Sequence, residues 1–191
     1  MLPIKLAVFD ETDPEFGLKM ISLVENPAIG FTAIKMSEHK EVKLSIQNED
    51  QQIIFTPVLI PNQLIYRKTE NEEFNLTFDA GTIERVAIKW AKDNLSNVAD
   101  IDHSGKLIEG VTFYESFIKG SRVKSVEGFD ELPDGTWFVT GKVTNPDTWK
   151  LIKEDKIKGV SIDGIFKSVP INKEPAKLSD TQLQTILALL K

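Results

Sequence analysis

The chain has no cysteine and only two histidines in 191 residues. Without cysteine there is no disulfide framework, no thiolate zinc site and no cysteine nucleophile. No apolar run approaches the roughly 18 residues that a bilayer-spanning helix needs. The start, Met1-Leu2-Pro3-Ile4-Lys5, lacks the basic segment and long apolar stretch of a secretory signal. There is no Gly-rich phosphate loop and no alternation of strand and helix, which disfavours the nucleotide-binding folds. The net charge of −6 argues against a general nucleic-acid binder. No repeat or low-complexity tract is present. These absences predict a soluble intracellular protein with neither nucleic acid nor membrane as partner.

What is present is ordinary globular composition, 41% apolar and 27% charged, enough at this length for one well-buried core. Strand-type runs recur at Ile4–Phe9, Met20–Val24, Ile53–Ile60, Phe74–Phe78, Val98–His103, Val111–Ile118 and Thr136–Val143. Pro57 inside the third of these implies an edge or a bulge. Ile83, Val86, Ala87 and Trp90 fall on one helical face, with Asp79 or Thr82 as the cap. Asn145-Pro146-Asp147 opens a second helix, which Gly159 is expected to close. Ser179-Asp180-Thr181-Gln182 is a capping box ahead of Leu183, Ile186, Leu187 and Leu190. The pattern predicts an α+β, mainly β fold: an antiparallel sheet closing into a barrel, with helices outside. The expected division is a barrel domain over 1–170, a linker over 171–178 and an amphipathic helix over 179–191.

Three places carry candidate chemistry. Ser161 lies in Gly159-Val160-Ser161-Ile162-Asp163-Gly164. It departs from the G-x-S-x-G elbow, because Asp163 occupies the second glycine position, so an α/β-hydrolase is disfavoured. Strand alternation puts Ser161 and Asp163 on one face and Val160 and Ile162 on the other. The pair either lines a site or is simply a polar face. His103 follows Asp100-Ile101-Asp102. It is either a structural strand-end histidine or the base that a serine nucleophile requires. A metal reading over Asp100, Asp102 and His103 is also open, but consecutive strand positions face opposite ways and no second histidine stands at ligand spacing. Glu115 sits in the apolar run Tyr114–Ile118. It is either an exposed edge residue or an acid that orients His103 across a hairpin. His39 reads as surface.

Taken in order, several stretches resemble the XkdF-like phage serine proteases, of the prohead (capsid maturation) protease group. They are Ile21–Ile29, Pro57–Arg67, Phe78–Ile83, His103, Glu115–Ile118, Gly135–Trp137 and Trp149–Gly164. The resemblance implies an assemblin-like, closed or partly closed barrel, His103 as general base and Ser161 as nucleophile. Related proteases can take the third member from a strand after the serine. Little strand-like sequence follows Phe166 here, which leaves Glu115 as the orienting acid and Asp163 in reserve. The implied activity is a serine endopeptidase that needs no metal or organic cofactor. It would act in the host cytoplasm inside the assembling procapsid, on scaffold and major capsid proteins, with homo-oligomerisation allowed. Two other readings stand beside it: a non-catalytic phage structural or scaffold protein on the same fold, and the metal-dependent hydrolase above.

Overall fold

The computed structural model describes residues 2–8, 11–28, 31–32 and 40–171. The predicted linker from 172, the helix over 179–191 and His39 lie outside the described residues. The strands are β1 (Ile4–Val8), β2 (Gly17–Val24), β3 (Phe31–Thr32), β4 (Lys40–Glu41), β5 (Ser45–Asn48), β6 (Ile53–Leu59), β7 (Ile65–Lys68), β8 (Glu73–Thr77), β9 (Ala99–Ile101), β10 (Val111–Ile118), β11 (Trp137–Val143), β12 (Gly159–Ile165) and β13 (Lys167–Pro170). Helix α1 (Ala80–Lys92) lies between β8 and β9, and α2 (Pro146–Lys153) between β11 and β12.

The class is α+β and mainly β, as expected, but the described strands form no closed barrel. They divide into sheets ordered β13-β1-β8-β7, β10-β11-β6-β5 and β12-β2-β9, with β3-β4 as a separate ribbon. Two pairings, β1 with β8 and β2 with β9, run parallel. Parallel partners need long crossovers, and both pairs join strands far apart in sequence. A local reading that links neighbouring runs as hairpins cannot supply them. One core nevertheless serves all three sheets. Ala7 and Leu76 belong to the same buried cluster as Ile54, Val139 and Phe113 from the second sheet and Ile21, Leu23, Val160 and Ile162 from the third.

The helices form where sequence places them. The Asp79 carboxylate accepts from Thr82 N at 2.6 Å, and Ile83, Val86, Ala87 and Trp90 are the buried face of α1. Trp90 meets Trp137 edge to face, 5.5 Å between centroids. At the start of α2 the Asn145 side chain accepts from Thr148 N. Its end corrects the expectation for Gly159. The left-handed residue is Asp155, at φ +55°. Asp155 N donates to Ile152 O and Lys156 N to Leu151 O, the paired bonds of a Schellman end. Gly159 instead opens β12, where a Cβ would lie 2.9 Å from the Pro27 ring. Pro57 sits beside a register shift between β6 and β11, beyond the residues that β5 pairs. Its missing N–H therefore costs no ladder bond on the β5 side.

Candidate functional site

The β12-β2-β9 sheet has two chemically different faces. Cross-strand register sets Val160 opposite Leu23, and Leu23 opposite Ile101; one step along, Ile162 faces Ile21, and Ile21 faces Ala99. These residues form the side turned to the core. Between the two apolar rows runs a third, Ser161 opposite Ser22 and Ser22 opposite Asp100. Directly paired residues share a face, so two hydroxyls and a carboxylate stand side by side on three strands. All three are buried: Ser161 keeps 6% of its surface, Ser22 and Asp100 none.

His103 reaches this row from a tight turn. Asp102 and His103 both have positive φ, +51° and +55°, and Ser104 N donates to Ile101 O at 3.1 Å. Positive φ at both central residues marks a type I′ turn. Aspartate and histidine are among the few non-glycine residues that accept that region. The turn is tied down twice. Asp102 Oδ1 accepts from Glu25 N at 3.2 Å, and Asp100 Oδ2 accepts from Gly105 N at 2.7 Å. His103 is itself exposed, and its Nδ1 lies 3.1 Å from Ser22 Oγ. The direction of that bond depends on which ring nitrogen holds the proton.

The sequence candidates fall as follows. His103 is bonded to Ser22, the register partner of Ser161, and no hydrogen bond joins His103 to Ser161 itself. Asp163 lies on the Ser161 face two residues further on and is exposed. A register shift follows it. Gly164 is there because a Cβ would sit 2.5 Å from Gly17 O. The hairpin expected to bring Glu115 beside His103 does not form. β9 pairs with β2, whereas β10 pairs with β11. The Glu115 carboxylate accepts from Thr140 Oγ1 at 2.6 Å on that second sheet. A strand does follow the serine, β13, but Lys167–Pro170 carries no acid. The metal reading gains nothing: among the described residues no group of three His, Asp or Glu is placed to hold an ion. Sequence reading gave no role to Ser22. The available signal was a lone serine in the apolar run Met20-Ile21-Ser22-Leu23-Val24, a counterpart to Val160-Ser161-Ile162.

No curated protein and no solved structure matches the chain. The model of the family described as "Putative phage serine protease XkdF" matches residues 41–169, a span that holds His103 and Ser161 and excludes Ser22. That match takes in well over half of the 191 residues, and the chain therefore belongs to the XkdF family of phage serine proteases.

Proposed function

We propose that the chain is a serine endopeptidase of phage capsid maturation, with Ser161 as nucleophile and His103 as general base. One observation carries the reading: the His103 ring is bonded to Ser22, the residue directly opposite Ser161 in the same sheet. Directly paired residues have Cβ atoms about 4.5–5.5 Å apart, so a small movement of an exposed imidazole brings it to Ser161. With Nδ1 engaged by Ser22, Nε2 is the nitrogen left for catalysis. Ser161 Oγ forms a bond to the scissile carbonyl carbon and its proton passes to Nε2. The C–N bond then breaks as that proton goes to the leaving amine. Water, deprotonated by the same nitrogen, releases the acyl group and restores Ser161. Scaffold and major capsid segments are the proposed substrates, inside the procapsid. The support for this is family membership. An assemblin-like arrangement draws support from the single core shared by the three sheets.

The direct contact favours a second assignment, Ser22 as nucleophile. Its complete burial weighs against that, because a substrate carbonyl must reach the oxygen. Labelling of the whole chain with a fluorophosphonate, followed by peptide mass mapping, separates the two. The expected result is one label on Ser161, absent in Ser161→Ala and in His103→Ala. A label on Ser22 would move the nucleophile. No labelling, together with no cleavage of co-expressed scaffold and capsid proteins, would favour a non-catalytic structural protein.

A further inference from the structure

The catalytic steps above leave a buried charge unused. Asp100 has no solvent exposure, and only one of its oxygens is satisfied. Oδ1 is buried without a hydrogen-bond partner among the described residues. A buried carboxylate oxygen left unpaired is costly. Such a group calls for a donor, and the nearest side chain by register is Ser22, its direct cross-strand partner. Ser22 has a single proton to give. If it gives that proton to His103 Nδ1, Asp100 Oδ1 stays orphaned. If Nδ1 carries its own proton, Nδ1–H donates to Ser22 Oγ and the hydroxyl proton is free to turn to Asp100. In the second arrangement the Ser22 proton is available to Asp100 Oδ1. Ser22 Oγ is not bonded to that oxygen in this structure, so a small side-chain adjustment has to bring the two together; Nε2 keeps its lone pair.

We infer that Asp100, acting through the Ser22 hydroxyl, is the positioning acid of this site and holds His103 in the Nδ1–H tautomer. The inference rests on the serine protease reading only for its effect on turnover. The backbone supports it separately. Gly105 N donates to the other oxygen of Asp100, so the carboxylate also anchors the far side of the turn that carries His103. The role that sequence reading gave to Glu115 thereby falls to a residue on β9, the strand that leads into the histidine's turn. The negative charge that stabilises the imidazolium formed during acylation would act across one hydroxyl rather than by direct contact.

The test reads the tautomer itself. The chain has two histidines, so His39→Gln assigns the imidazole signals of the 15N-labelled full-length protein. Spectra recorded above the imidazole titration should show wild-type His103 as Nδ1–H. Asp100→Asn and Ser22→Ala should each move it towards Nε2–H. Both should lower kcat by roughly 10²-fold, the low end of what general base catalysis contributes, with KM within about threefold. Asparagine retains an oxygen for Gly105 N, so a purely structural clamp would leave the tautomer and kcat unchanged. An Nε2–H wild-type ring, or a tautomer indifferent to both substitutions, would overturn the inference. Should Asp100→Asn fail to fold, Ser22→Ala interrupts the same chain at a smaller side chain and decides alone. A tautomer that responds in a protein that neither cleaves nor takes phosphonate removes the protease reading and keeps the hydrogen-bond chain. A labelled Ser161 beside an indifferent tautomer does the reverse.

Discussion

The outer face of the β10-β11-β6-β5 sheet is closed by phenylalanines, while the matching face of β12-β2-β9 carries Ser161, Ser22 and Asp100. On the first, Phe138 stacks on Phe55 at 5.2 Å and on Phe117 at 5.4 Å, and Phe129 meets it edge-on at 5.6 Å. Val126 and Leu132 from the covering loop complete that layer. Lys119 holds the loop in place, its ammonium donating to Asp130 O and Leu132 O at 2.6 Å. On the second, equally buried positions hold groups that gain little from burial. Polar side chains taken out of water stabilise a fold only when every partner is present. One face is therefore built for cohesion and the other bears a cost that the proposed chemistry would explain.

The sharpest way to break this contrast is to remove the polar groups. Ser161→Ala and His103→Ala should each lower proteolysis by about four to six orders of magnitude, and the double variant should be hardly worse than either. Their melting temperatures should stay within a few degrees of wild type. Effects on cleavage that multiply, or variants that unfold, would make the row a structural device. Phe138→Ala on the opposite sheet should behave in the reverse sense. It should cost about 3–5 kcal/mol in urea unfolding while phosphonate labelling of the folded fraction continues. A cost under about 1 kcal/mol would mean that the aromatic layer does not hold the sheet.

Gly164→Ala tests how closely the two faces are coupled. Its methyl would meet Gly17 O and Leu18 Cα and push β12 off β2 at the shifted register. Destabilisation of about 1–3 kcal/mol is expected, with weaker labelling of Ser161 three residues away; unchanged labelling would show that the serine tolerates movement of the strand. The smallest effect belongs to Asp130 in the loop over the phenylalanines. Its carboxylate is held below its ordinary value of 3.8, first by the Ser125 hydroxyl and then by Val126 N. A depressed folded-state pKa gives stability that is present above the unfolded value and lost as pH falls through the folded one. Asp130→Asn should therefore lower the melting temperature slightly at neutrality and flatten its fall below about pH 4, so that the two proteins converge in acid. An identical acid limb in both proteins would show that the Ser125 contact contributes nothing.

Much of the local structure was legible. The run Val111–Ile118 is a strand with those bounds, and both helix starts follow from Asp79 and Asn145. Ser161 and His103 stood out because a lone serine in a glycine-flanked apolar run and a rare histidine are conspicuous. Glu115 stood out for the same kind of reason, yet it lies on the outer face with Phe117 and Thr140, because β10 turns to β11 and not to β9. The end of α2 was misjudged because an aspartate, not a glycine, takes the left-handed position. The type I′ turn at Asp102-His103 was missed likewise, since neither residue announces positive φ.

By itself the amino-acid sequence determined composition class, helix caps, the alternation that puts Ser161 opposite in facing to Val160 and Ile162, and the family to which the chain belongs. Those are properties of short windows or of matched order along the chain. Only the tertiary structure decided which residues join Ser161. Ser22 and His103 are 81 positions apart, and their meeting depends on a parallel pairing of β2 with β9. Register between distant strands is set by the packing of whole faces against a shared core. For that reason no local pattern could name Ser22 and Asp100 as neighbours.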